Sequence, residues 1–269
     1  MTPLDWPTLP DKIPTHPPRR ASLFGYPIDR VTIDQAVALC RGFLEGDRRP
    51  KLVLTLNAAT LAMAEDDPAF AEVIRTGDLI LADGTPIGWA SRWFGEGLKQ
   101  RVTGIDLMGR LIEEADGDGL RLYFLGARPE VVDRVVRRVE SDYPGATIAG
   151  SRDGYFRPEE WNQIVESIRR SRADILFVAM PSPFKEVWCR DHLEALGVPV
   201  VLPVGGAFDV FSGLIPRAPV WMQEAGLEWF WRFLMEPRGK WKRYLRYNTA
   251  FLRLCLVAFF RRGSRKLLA

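Results

Sequence analysis

Histidine is nearly missing: His16 and His192 are the only two among 269 residues. A His-rich metal centre is therefore disfavoured, and no HExxH occurs. Cysteine is scarce too. Cys40, Cys189 and Cys255 lie far apart, with no CxxC and no even count. That pattern fits free thiols in a reducing cytoplasm, not a disulfide frame. No run of eighteen uncharged apolar residues occurs, so no membrane-spanning helix is expected. The first eighteen residues hold six prolines and no apolar core of signal-peptide type. Residues 1–20 read as an extended or disordered strap, and export is not expected. Neither GxxxxGK(S/T) nor GxGxxG appears, which disfavours P-loop NTPases and typical dinucleotide enzymes. No DxD pair stands at a strand end. Asp66 and Asp67 fit better as the start of a helix at Pro68, so a dedicated metal site has little support.

What is present is an ordinary globular composition, 47% hydrophobic and 26% charged, enough for a substantial core. The net charge of +3 hides an asymmetry. Residues 217–269 carry twelve Lys or Arg against three acids, a net +9, which leaves the remaining 216 residues at −6. An acidic body with a basic, aromatic end calls for a polyanionic partner: nucleic acid, a phospholipid surface or a phosphorylated ligand.

Short runs rich in Val, Ile and Leu at 51–57, 78–83, 121–126, 146–149, 174–180 and 199–204 read as strands covered on both faces. Helical patterns lie between them at 33–45, 67–76, 86–94, 104–115, 129–142, 158–171 and 184–195. In 129–142, Val131, Val135, Val136 and Val139 keep the spacing of one buried face. The alternation predicts an α/β fold: an open, Rossmann-like, mostly parallel sheet with helices on both faces. A catalytic body over 21–216 is followed by a helical, basic and aromatic appendage over 217–269. Within it, 248–262 is apolar, broken by Arg253 and closed by Arg261 and Arg262. It is too short to cross a bilayer comfortably and suits an interface.

Ligands of parallel sheets sit at the carboxyl ends of strands. Five strand ends here carry small or polar residues: Thr55 and Asn57; Asp83 and Gly84; Gly126 to Pro129; Met180 to Pro183; and Gly205, Gly206 and Asp209. Asp83 suits a general base and equally an N-cap for the helix near Pro86. Gly205-Gly206 suits close approach to a phosphate or nucleobase, or a plain turn. Arg101 suits an anionic ligand or a surface ion pair.

The stretches ADGTPIGW (82–89) and RVTGIDLM (101–108) narrow the choice. With LFGYPIDRVTIDQAV (23–37), TLNAAT (55–60), YFLGA (123–127), GGAFDVFSG (205–213), RAPVWMQEAGLEWFWR (217–232) and EPRGKWKRYL (236–245), the chain resembles the WecG/TagA/CpsF family of bacterial glycosyltransferases. The resemblance runs in order through 23–245. It implies transfer, with inversion, of a sugar from a UDP-sugar (N-acetylmannosamine, its uronic acid, glucose or similar) to a polyprenyl-diphosphate-linked sugar in cell-surface polysaccharide synthesis. No cofactor or bound metal is implied. Asp83 then matches the catalytic base, and Arg101 the group that offsets charge on departing UDP. Thr55, Asn57, Gly205, Gly206 and Asp209 match donor-binding positions.

One position departs from the family pattern. Pro183-Phe184-Lys185-Glu186 carries lysine where the resemblance implies a donor-side glutamine. Lys185 is expected to meet a phosphate or a carboxylated sugar. Arg232, Arg238 and Arg243 match the arginine-bearing motifs of the appendage and are expected to hold the acceptor diphosphate and an anionic membrane surface. The implied location is the cytoplasmic face of the cell membrane, peripherally attached, with no nucleic acid as partner. A homo-oligomer is the alternative shelter for the apolar end. Two other readings stand beside this one: a polyanion-binding α/β module, and a family-derived subunit without catalysis, prompted by Lys185.

Overall fold

Val, Ile and Leu fill the strands because helices cover both faces of the sheet. The computed structural model describes residues 19–95, 97–225, 227–235 and 246–260. Arg20–Leu23 (β1) and Tyr26–Asp29 (β2) form an antiparallel hairpin. Then come α1 (Ile33–Glu45), β3 (Lys51–Leu56), α2 (Ala58–Asp66), α3 (Pro68–Arg75), β4 (Leu79–Ala82), α4 (Thr85–Trp93), α5 (Gly104–Asp118), β5 (Arg121–Gly126) and α6 (Pro129–Asp142). β6 (Thr147–Arg152) leads through a 3-10 turn at Pro158–Glu160 into α7 (Trp161–Ser171). β7 (Ile175–Ala179), α8 (Phe184–Leu196), β8 (Val200–Pro203), α9 (Ala207–Phe211), α10 (Val220–Glu224) and α11 (Glu228–Met235) follow. A further helix, α12, is described over 246–260.

The sheet has six strands in the order β4-β3-β8-β7-β5-β6, every pairing parallel. Alternate side chains enter two separate cores. Leu54, Ile80, Leu125 and Val178 pack with Leu61, Phe70, Ile168 and Trp188 on one face. Val53, Leu81, Phe124 and Phe177 pack with Val37, Leu111, Val135 and Phe208 on the other. Each such fully buried side chain contributes about 1.5–3 kcal/mol relative to exposure.

The expected helices 33–45 and 129–142 match α1 and α6, and the others shift by one to three residues. Three elements lie outside the sequence expectations. The hairpin turns at Phe24 and Gly25, both at positive φ (54° and 84°), the backbone of a tight hairpin. It closes the border of the sheet: Asp29 Oδ2 accepts from Ile80 N at 2.8 Å on β4, and Arg20 Nε donates to Asp29 Oδ1 at 3.0 Å. Arg20, assigned to the strap from sequence, is thus part of β1. The second element, α2, starts on a capping box between Asn57 and Thr60. The third is the short helix α9. On the opposite border, β6 is half-exposed, which is why its apolar run is short and its expected span, 146–149, falls short of its end.

Candidate active site

The ladder between β3 and β8 lasts only two residue pairs, Lys51↔Val200 and Leu52↔Val201. Beyond them a cleft of about 300 Å³ is lined by Thr55 and Asn57 on one side and by Val204, Gly205 and Gly206 on the other. This is where the chain order along the sheet jumps from β3 to β8, the place such sheets bind ligands. Gly104 opens α5 between the two ends: a Cβ there would lie 3.5 Å from Thr55 Oγ1 and 3.8 Å from Val204 Cα.

The lining is rich in helix beginnings. Asn57 caps α2, Gly84 caps α4 and Thr103 caps α5, while Ser182 and Lys185 bracket the start of α8; all line the cleft. Helix N-termini present unpaired N–H groups and the positive end of the helix dipole, so the arrangement favours an anion. Asn57 serves twice. Its Oδ1 accepts from Ala59 N and Thr60 N, each at 3.0 Å. That fixes the amide orientation and leaves Nδ2 as a donor on the cleft wall.

Asp83 follows β4 and lines the same cleft. Its backbone N–H donates to Leu56 O at 2.8 Å. The N-cap position of α4 belongs to Gly84, at φ 91°, and not to Asp83, which corrects that expectation; the helix starts at Thr85, one residue before its expected start. Lys185 is almost fully buried, with 7% of its surface exposed. Its Nζ donates to Ser182 Oγ and Glu186 Oε1. Gly205, at φ 56°, passes close to the Lys185 stem; a Cβ there would sit 3.5 Å from Cε.

Arg101 also lines the cleft. Its Nη1 donates to Glu228 Oε2 at 2.8 Å and to Gln223 O at 3.3 Å. The ion pair weighed from sequence is real, but it is partly buried and spans 127 residues. Ser182 lines the cleft as part of the strand end expected there, whereas sequence reasoning missed Glu228, Thr103, Tyr247 and Asn248, which line it too. Thr103 and Glu228 stood inside quoted stretches, but no local pattern marks either of them, or Tyr247 and Asn248 of the appendage, as a wall residue.

Not every strand end contributes. Gly126 to Pro129 lies outside the lining, because β5 is separated from β8 by β7. Arg128 there pairs with Glu130 at 3.2 Å. Asp209 sits a turn into α9, half-buried and also outside the lining. Arg232 belongs to α11, with its side chain outside the described residues; Arg238 and Arg243 lie outside them altogether. Among the described residues, no group of three or more His, Cys, Asp or Glu is placed to hold a metal ion. None of the described helices is long and apolar enough to cross a membrane.

Residues 21–265 match the glycosyl transferase WecG/TagA/CpsF family. The chain belongs to this family. A Bacillus spizizenii relative, N-acetylglucosaminyldiphosphoundecaprenol N-acetyl-beta-D-mannosaminyltransferase, is 34% identical over 204 residues, 75% of this chain and 78% of the relative. A Bacillus subtilis protein of the same name is 33% identical over 194 residues, covering 72% and 75%. The WecG/TagA/CpsF sequence stretches thus correspond here to a parallel sheet whose cleft gathers helix N-termini, two carboxylates and two cations. The family resemblance and the α/β architecture expected from sequence both hold.

Proposed function

We propose that this glycosyltransferase moves a sugar, N-acetylmannosamine or a close relative, from a UDP-sugar to a sugar carried on a polyprenyl diphosphate. The observation that carries the reading is the shared cleft of Asp83, Asn57, Arg101 and four helix beginnings, in a chain whose relatives are named for that transfer. Asp83 takes the proton from the acceptor hydroxyl. The freed oxygen attacks the anomeric carbon from the side opposite the diphosphate, and the bond to the phosphate oxygen breaks with inversion. UDP departs with the bonding electrons, its new charge met by N–H groups, by Asn57 Nδ2 and by Arg101. Thr55, Gly205 and Gly206 line the donor side. Lys185, already paired with Glu186, adds a cation at the cleft floor; Asp209 enters as an outer support of that pocket.

The lipid end of the acceptor suits the surface beside the cleft. Tyr247 and Asn248 of α12 line its mouth. From there Leu252, Leu256 and Phe259 continue along one exposed face of the helix, at helical spacing. Trp89 and Trp93 of α4 are 53% and 78% exposed. Phe94 next to them joins α12 through Phe24, whose ring lies 5.4 Å from Phe94 and 5.9 Å from Phe251. Aromatic and aliphatic groups beside the basic end suit an anionic bilayer on the cytoplasmic side, each basic residue adding about 1 kcal/mol near the surface. Arg232, Arg238 and Arg243 complete that basic end in this reading.

Purified protein incubated with a panel of UDP-sugars and a polyprenyl-diphosphate-linked N-acetylglucosamine, with UDP release followed, tests the reaction. Release that needs both substrates supports it; no release from any donor overturns it. Flotation with anionic vesicles tests the mooring: Leu256→Asp combined with Phe259→Asp is expected to abolish it, and undiminished flotation speaks against the assigned face.

A further inference from the structure

Arg101 is held from outside the sheet. Its Nη1 donates to Glu228 Oε2 at 2.8 Å and to the Gln223 carbonyl at 3.3 Å. Both partners come from the segment after residue 217, not from the α/β body. Glu228 is itself braced. Arg217 Nε lies 3.9 Å from Glu228 Oε1, and Arg217 Nη2 donates to Asp106 Oδ1 at 2.5 Å. Thr103 Oγ1 donates to Asp106 Oδ2 at 2.6 Å. The side chains of Arg101 and Glu228 are only 25% and 22% exposed, so the pair is not a fleeting surface contact.

A guanidinium has five N–H donors in a rigid fork. Using Nη1 as the hinge pin leaves Nε and Nη2 without a hydrogen bond to any described residue, on a side chain that lines the cleft. We infer that Glu228 is a positioning residue: it fixes the Arg101 fork so that Nε and Nη2 meet the diphosphate of the nucleotide. On this view the appendage is not merely a mooring. It supplies one wall of the nucleotide site, and Asp106 and Arg217 carry the brace back to the start of α5. The inference rests on the proposed use of a nucleoside diphosphate donor.

The test uses the full chain with the variants Glu228→Ala, Glu228→Gln, Arg101→Gln and the double variant Arg101→Gln with Glu228→Ala. UDP affinity is read by calorimetry and turnover by UDP release. Glu228→Ala is expected to weaken UDP about tenfold and lower kcat more than it raises KM for the acceptor. Glu228→Gln keeps an oxygen to accept from Nη1 and is expected to retain most of the affinity. In the double variant, losing Glu228 is expected to add little to the loss of Arg101, because residues of one unit are non-additive.

Unchanged or tighter UDP binding by Glu228→Ala overturns the inference, as it would mark the carboxylate as mere repulsion. Fully multiplicative losses overturn it too. Loss of vesicle flotation or of thermal stability in Glu228→Ala to the same degree as UDP binding would reassign Glu228 to holding the appendage on. UDP binding reads this site even if no acceptor turns over, so failure of the proposed transfer is distinguishable from failure of this inference.

Discussion

The backbone N–H of Asp83 donates to the Leu56 carbonyl at 2.8 Å, one residue past the end of β4. On the far side of β4, Val102 N donates to Ala82 O at 2.8 Å. The carboxylate therefore stands on backbone gripped from two sides, the rigidity a base needs to meet a hydroxyl within about 3 Å. Asp83→Ala and Asp83→Asn are expected to lower kcat by about 10²–10⁴-fold, the range for a lost general base. UDP affinity should stay near wild type. Turnover at the wild-type rate in either variant removes Asp83 from that role.

Asn57 allows its two duties to be separated. Asn57→Asp keeps an oxygen to cap α2 but places a negative charge in the cleft, where the proposed diphosphate would lie. Folding stability is expected to be retained while UDP binding falls at least tenfold. Asn57→Ala should lose the cap as well, costing about 0.5–2 kcal/mol. Urea unfolding and UDP titration read the two effects separately, and equal UDP affinity in Asn57→Asp and wild type counts against the donor assignment.

Lys185 and Glu186 form a buried pair through Glu186 Oε1, their side chains 9% and 6% exposed, and Glu186 Oε2 has no hydrogen-bond partner among the described residues. Removing one charge strands the other. Lys185→Met is expected to cost about 3–5 kcal/mol in urea unfolding, and adding Glu186→Leu should recover most of that loss. An undiminished midpoint in Lys185→Met alone would show the pair to be dispensable.

Asp29 links pH to the border of the sheet. Burial raises its carboxyl above the ordinary value, against the opposing pull of Ile80 N and Arg20. A raised folded pKa means its contribution is fully present below the unfolded value, about 4, and is lost as pH rises through the folded one. The stability of wild type relative to Asp29→Asn is therefore expected to fall as pH rises above about 4. Urea midpoints across that window check it; a difference that grows with pH contradicts the sign.

Much of this was legible from residues alone, for physical reasons. β4 and β7 are buried along their whole length, so their apolar runs were unmistakable, and Pro129 at the start of α6 left a clear helix start. Asp83, Asn57 and Thr55 were readable because they end such runs. The hairpin was hidden because Tyr26–Asp29 has a half-polar pattern and serves an edge. α2 was hidden because its Ala-rich stretch buries small residues almost all round, without a polar face to set a period. Glu228 was invisible for a different reason: its partner Arg101 is 127 residues away, and only the fold brings them together.

The half-exposed strand β6 ends the sheet, with β5 as its one strand neighbour among the described residues. It lies three strands from β8, which at about 4.8 Å per strand is roughly 14 Å. A fluorophore or affinity handle fused near that rim is expected to leave the cleft uncrowded, whereas a graft at the hairpin is expected to loosen β4, the strand that leads into Asp83.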